Sequence, residues 1–88
     1  MLCDSKTISR RLGMAASTWF EGCAAGIFPA PIRRGSRWSR WPDADVEVIE
    51  RALAAGAGDD ELRQLSRTLE RQRLAKRPVI EAAAEAPQ

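Results

Sequence analysis

From Gly26 to Pro42 the chain reads "GIFPAPIRRGSRWSRWP", and its three prolines and two glycines forbid a helix there. Pro29 and Pro31 each lack an N–H and suit an extended lead-in or an edge strand. Residues 32–34, then Gly35-Ser36, then residues 37–41 fit two strands joined by a tight turn whose glycine takes φ > 0. With period two, Arg37, Ser39 and Trp41 share one face and Trp38 and Arg40 the other. The segment splits the chain into two parts, each with helical patterning.

Before the split, Asp4 is placed to cap a helix starting at Ser5, with Ile8 and Leu12 on its buried stripe. Gly13 ends it in the left-handed position, and Met14 enters the core from the turn. Residues 15–25 read as a second short helix ended by Gly26, with Trp19, Phe20 and Cys23 as its core residues. Two short helices around a glycine-containing turn are a helix-turn-helix pattern. After the split, Pro42 suits the first turn of a third helix, where Asp43, Asp45 and Glu47 face the positive end of its dipole. Val46, Ile49 and Leu53 form its apolar stripe to about Ala55. "AAGAGDDE" breaks that helix and starts another, in which Leu62, Leu65, Leu69 and Leu74 recur through Ala75 while Arg63, Arg67, Glu70 and Arg71 point outward. From Lys76 the composition turns to Ala, Glu and Pro and reads as a disordered tail.

Eighty-eight residues make one small domain with a thin core, which oligomerisation or a ligand would help to stabilise. The expected organisation is a helix-turn-helix with hairpin and third helix over residues 4–55, a C-terminal helix over 56–75 and the tail over 76–88. No 18-residue apolar run and no signal-peptide core are present, so the chain reads as cytoplasmic with no membrane partner. Two cysteines, Cys3 and Cys23, and no histidine cannot assemble a structural zinc site, and both thiols read as free and buried. With no Ser/His/Asp set and no glycine-rich phosphate loop, the expectation is a protein that is not an enzyme and uses no cofactor.

The net charge of +2 hides an asymmetry. Residues 1–41 carry seven Lys/Arg against two acids, whereas residues 42–88 carry seven against ten. A basic module joined to an acidic helical half points to nucleic acid as the partner of the first. The stretch "PIRRGSRWSRW" concentrates that charge. It reads as a hairpin held to the helices by Ile32 and Trp41, with Arg34 and Arg37 flanking the tip that reaches a polyanion.

The order of these pieces resembles the AlpA-type phage regulators and excisionases of the MerR-like winged-helix group. The residues that carry the resemblance are "ISRRLGM" (8–14), "ST" (17–18), "GIFPAPI" (26–32), "RWSRW" (37–41) and "DVEVI" (45–49), with "GAGDDELRQL" (56–65) similar to the continuation in some members. The fold the resemblance implies is mainly α with a small β-hairpin: a winged helix-turn-helix plus an additional C-terminal helix. It implies a double-stranded DNA partner, with the second helix in the major groove and the wing in the neighbouring minor groove. The implied function is that of a recombination directionality factor. Copies bind repeated sites head to tail beside an attachment site, bend the DNA and bias an integrase toward excision, giving a nucleoid-associated protein when bound. Small size without an effector domain favours this over a promoter-binding transcriptional regulator of the same fold. A third reading is a protein-interaction adaptor for integrase.

The chain departs from the family where the second helix usually carries basic residues, having Ala15 and Ala16 at its start and Glu21-Gly22 in its middle. Ser17 and Thr18 keep hydroxyls for a phosphate or a base edge, and Glu21 is an acceptor for a cytosine amino group or a solvated side chain. The wing must then supply more of the affinity, through Arg33, Arg34, Ser36 and Arg37. Arg40 has a salt bridge with Asp43 or Glu47 as its competing fate. Arg10 and Arg11 on the first helix divide evenly between phosphate and solvent. Trp41 reads as core. Trp38 has three open readings: stacking on a sugar-phosphate edge, a protein contact, or burial through a bulge.

Overall fold

The computed structural model describes the backbone of residues 1–85 and the side chains of residues 1–75. It contains four helices and one small antiparallel sheet. Helix α1 (Ser5–Leu12) starts at the expected cap, the Asp4 carboxylate accepting from the Thr7 N–H at 2.8 Å. It ends at Gly13, whose φ of 68° lets the chain turn back. Helix α2 (Ala16–Ala24) follows after a short turn and packs on α1. Its last carbonyls are taken in the reversed pattern that Gly26 (φ 80°) permits: Ile27 N–H donates to the Gly22 carbonyl at 2.9 Å.

Strand β2 (Ile32–Arg34) and strand β3 (Trp38–Pro42) form the hairpin, but its turn is longer than expected. Arg34 lies opposite Trp38, Arg33 opposite Ser39 and Ile32 opposite Arg40, so Arg37 joins Gly35 and Ser36 in the loop. A two-residue turn would have paired Arg34 with Arg37; the third residue shifts the register by one. The sheet also has a strand that no pattern announced. Strand β1 (Leu2–Cys3) pairs antiparallel with the other edge of β3, Cys3 opposite Trp41 and Leu2 opposite Pro42, and the Met1 carbonyl accepts from Asp43 N–H. The order is therefore β1-β3-β2, with the tryptophan-bearing strand in the centre.

Helix α3 (Asp43–Ala54) leaves β3 directly, and helix α4 (Asp59–Glu85) packs back against it. The helix α4 assignment runs past Ala75, where the leucine periodicity ends, and through Pro78. The tail read over residues 76–88 falls beyond the described side chains, with residues 86–88 outside the described residues altogether.

One core gathers every helix. Ile8 of α1, Trp19 of α2, Trp41 of β3, Val46 and Ile49 of α3, and Leu62 and Leu69 of α4 are all buried. At its centre Trp19 stacks on Phe28, with ring centroids 4.5 Å apart, and meets Trp41 edge-on at 5.5 Å. The Trp41 indole N–H donates to the Pro29 carbonyl at 2.9 Å, which fixes the base of the hairpin to the segment before it. The Trp19 indole N–H is buried without a hydrogen-bond partner among the described residues, and nothing in the structure explains it. Three residues read as inward-facing are not in the core. Phe20 is 39% exposed, Ile32 is 36% exposed and Leu74 is 58% exposed. Phe20 lies about 100° around the helix from fully buried Trp19 and turns partly outward, and all of β2 lies outside the core as an edge strand.

Polar ties hold the ends of the helices. Arg11 bridges α1 to α3 through Asp43 at 2.8 Å and Glu50 at 3.0 Å, while the Cys3 thiol donates to the same Asp43 oxygen at 3.4 Å. The Cys3 thiol and Arg11 hold the Asp43 carboxyl below its ordinary value, and the Thr7 N–H does the same for Asp4. Both folded values lie below the unfolded ones, so their stabilisation is present at neutral pH and is lost as pH falls through the folded values. Melting followed from pH 7 to pH 2 is expected to show Tm dropping from about pH 4 downward. In the Asp4→Asn, Asp43→Asn double variant that drop should be shallower; an equally steep fall would place the acid sensitivity in other groups.

Candidate nucleic-acid interface

The outward face of α2 follows from what its inward face must bury. Trp19 and Gly22 point into the core, which leaves Ser17, Thr18, Glu21 and Ala24 on the exposed side. Gly22 has a specific task. A Cβ there would stand 2.2 Å and 2.5 Å from two atoms of the Phe28 ring, so only glycine lets that ring lie against the helix. Ala15 at the start of α2 gives no side-chain cap, so the first N–H groups of the helix are left to other acceptors.

The hairpin stands beside this face. Trp41 on β3 meets Phe20 of α2 edge-on, with ring centroids 5.7 Å apart. Cross-strand pairing puts Arg33 and Ser39 on the same side of the hairpin as Trp41, and Ile32, Arg34, Trp38 and Arg40 on the other. Arg33 lines a groove with Glu70 and Arg73 of α4. Burial pushes the Cys23 thiol on α2 up to about 12. Gly35 adopts φ 71° in the loop, and Arg33, Arg34, Ser36 and Arg37 are all exposed around it.

The structure separates the arginines into two sets. Arg11, Arg51, Arg63 and Arg73 form salt bridges, with Asp43 and Glu50, Glu47, Asp60 and Asp45 respectively. Among the described residues Arg10, Arg33, Arg34, Arg37, Arg40, Arg67 and Arg71 meet no carboxylate within 4 Å. Arg11 is thus engaged inside the domain, and Arg10 is exposed on α1. Neither carboxylate read as a partner for Arg40 pairs with it. Arg40 instead donates to the Ser39 carbonyl at 2.9 Å and lays its guanidinium over the Trp38 ring, 5.0 Å from the centroid. Of the three readings of Trp38, the structure bears on one, burial through a bulge. The strand carries no bulge, and the partly exposed indole is covered by a neighbouring arginine of its own hairpin.

Two features escaped the sequence reading. Exposed Phe20 sits where α2 meets the hairpin, and a helical wheel alone would have placed it beside Ala24 and Ser17 rather than beside Trp19. Arg73 reaches from α4 to Asp45 of α3 at 2.8 Å and also donates to the Ala30 carbonyl. Nothing in the run of C-terminal arginines distinguishes that one.

Comparison with family models, curated proteins and solved structures gives no significant match. The surface has to be read from its own chemistry. Among the described residues no helix is long and apolar enough to cross a membrane.

Proposed function

We propose that the chain is a winged helix-turn-helix DNA-binding protein of the AlpA/excisionase kind, a recombination directionality factor. The observation that carries the reading is the hairpin arginine cluster. Arg33, Arg34 and Arg37 are exposed at the loop end of the hairpin and, among the described residues, meet no carboxylate within 4 Å. Side chains that fork onto phosphate oxygens suit that place, and arginine favours the negative potential of a narrow minor groove. In this reading α2 enters the major groove with Ser17, Thr18 and Glu21 toward base edges and phosphates, and the wing reaches the adjacent minor groove. Arg10 adds a backbone contact, and Arg11 holds α1 to α3 instead of touching DNA.

The absence of any basic residue on α2 favours an architectural task over single-site regulation. One copy has few phosphate contacts and binds weakly, so occupancy depends on several copies binding adjacent repeats head to tail. Such an array curves the duplex and presents it to an integrase. The reaction is done by that partner; this chain supplies shape.

Salt titration of duplex binding tests the reading. Arg33→Ala, Arg34→Ala and Arg37→Ala combined are expected to reduce the slope of log K against log salt by about 0.9 for each arginine that meets a phosphate. The three side chains are exposed, so the fold should be unchanged. An unaltered slope and affinity would remove the wing from the interface. Footprinting then divides the two functions: cooperative spreading over repeats supports the directionality factor, and one isolated protected site supports a promoter regulator.

A further inference from the structure

We infer that Phe20 is a base-reading residue, its ring resting on the C5 methyl of a thymine in the major groove; this deepens the DNA-binding reading and depends on it. Phe20 is the one large apolar side chain on the exposed side of α2, 39% accessible, with Ser17 three residues before it and Ala24 four after it also exposed. It is not a loose surface aromatic. Its ring meets Trp41 edge-on at 5.7 Å, and Trp41 is fully buried and anchored through its indole N–H to the Pro29 carbonyl. The exposed part of the ring is therefore held in one orientation, where α2 meets the base of the hairpin. Ser17 and Ala24 are small, so the helix can approach a groove floor closely around it.

The surrounding charge identifies the partner. Residues 1–41 carry five more cationic than anionic side chains, and among the described residues the arginines of the hairpin meet no carboxylate within 4 Å. An apolar ring in such a setting faces a polyanion, and the major groove of DNA offers one apolar target, the thymine methyl. Glu21, the next residue along α2 and also exposed, accepts from an exocyclic amino group and so suits a neighbouring cytosine. Together the two side chains read adjacent pyrimidines without any basic residue on the helix.

The test starts from duplexes enriched out of a random double-stranded library by the full chain. In the tightest of them each thymine is replaced singly by deoxyuridine, which removes the methyl and keeps the base pair. The expected result is one thymine, at a fixed position in each repeat, whose replacement weakens binding about two- to fourfold, the scale for one methyl group losing an apolar contact. Phe20→Leu should keep part of that sensitivity and Phe20→Ala should lose it, with near-UV circular dichroism confirming that each is folded. If no thymine shows the effect in the unaltered chain, or if Phe20→Ala keeps it, the inference fails while the DNA-binding reading stands. A library that yields no enriched duplex overturns both.

Discussion

Gly22→Ala is expected to lower the melting temperature by about 10–20 °C, although alanine is the better helix former. In an open helix the exchange would stabilise by about 1 kcal/mol. Here the new methyl would lie 2.2 Å from the nearest Phe28 ring atom, and the ring has no free direction in which to retreat. It is itself buried at 6% exposure and stacked at 4.5 Å on Trp19. Either α2 moves away from the segment behind it or Phe28 leaves its place, and overpacking of this kind costs about 1–3 kcal/mol or somewhat more. For a domain of this size that is a large share of a total on the order of 4–13 kcal/mol. The control is internal. In a Phe28→Ala background the clash disappears, and adding Gly22→Ala should be neutral or slightly stabilising. Denaturant midpoints for the four chains of that cycle check it, and equal costs in both backgrounds would mean that the ring is not the cause.

Asp45→Ala is the second large effect, expected at about 2–4 kcal/mol in chemical denaturation. Asp45 and Arg73 are the least exposed ion pair among the described residues, their side chains 12% and 20% accessible, with two guanidinium nitrogens each 2.8 Å from one carboxylate oxygen. Removing the carboxylate leaves a largely desolvated guanidinium with the Ala30 carbonyl as its remaining partner. Asp45→Asn keeps an acceptor and should lose less. Asp45→Leu together with Arg73→Met should recover much of the stability, since neither charge is then left alone. If the single and double changes cost the same, the pair would be a bystander to the packing of α4.

How far the sequence announces this fold depends on the kind of signal. Local signals translate directly. Asp4 caps, Gly13 and Gly26 turn the chain in left-handed backbone, and the proline-rich segment stays out of helix because φ, N–H supply and sterics act on each residue alone. Signals that depend on a second segment translate poorly. A two-residue strand such as β1 has no period to detect, and it exists only because β3 offers it an edge. The hairpin register hinges on whether Arg37 is strand or loop, which composition does not decide. Phe20 looks apolar and therefore internal until the placement of Trp19 fixes which side of α2 is inside. For the candidate interface, the sequence marks Ser17, Thr18, Glu21, Arg33, Arg34, Ser36 and Arg37, and these are exposed. It does not reveal that Arg11 is committed to Asp43 and Glu50, because that choice is made by how α1 and α3 meet.

The connector between α2 and β2 has no regular structure of its own, and its carbonyls are satisfied by side chains from outside. Arg63, Ser66 and Arg73 of α4 donate to the carbonyls of Ala25, Ile27 and Ala30, and Trp41 donates to that of Pro29. The last helix thus fastens the piece of chain from which the hairpin is hung. Thermodynamic linkage follows from that arrangement. A binder that requires α4 to lift off must also loosen the mount of the hairpin. A duplex that grips the hairpin must, by the same factor, resist the lifting. Slower amide exchange along residues 62–73 in the presence of DNA is the sign of that reciprocity.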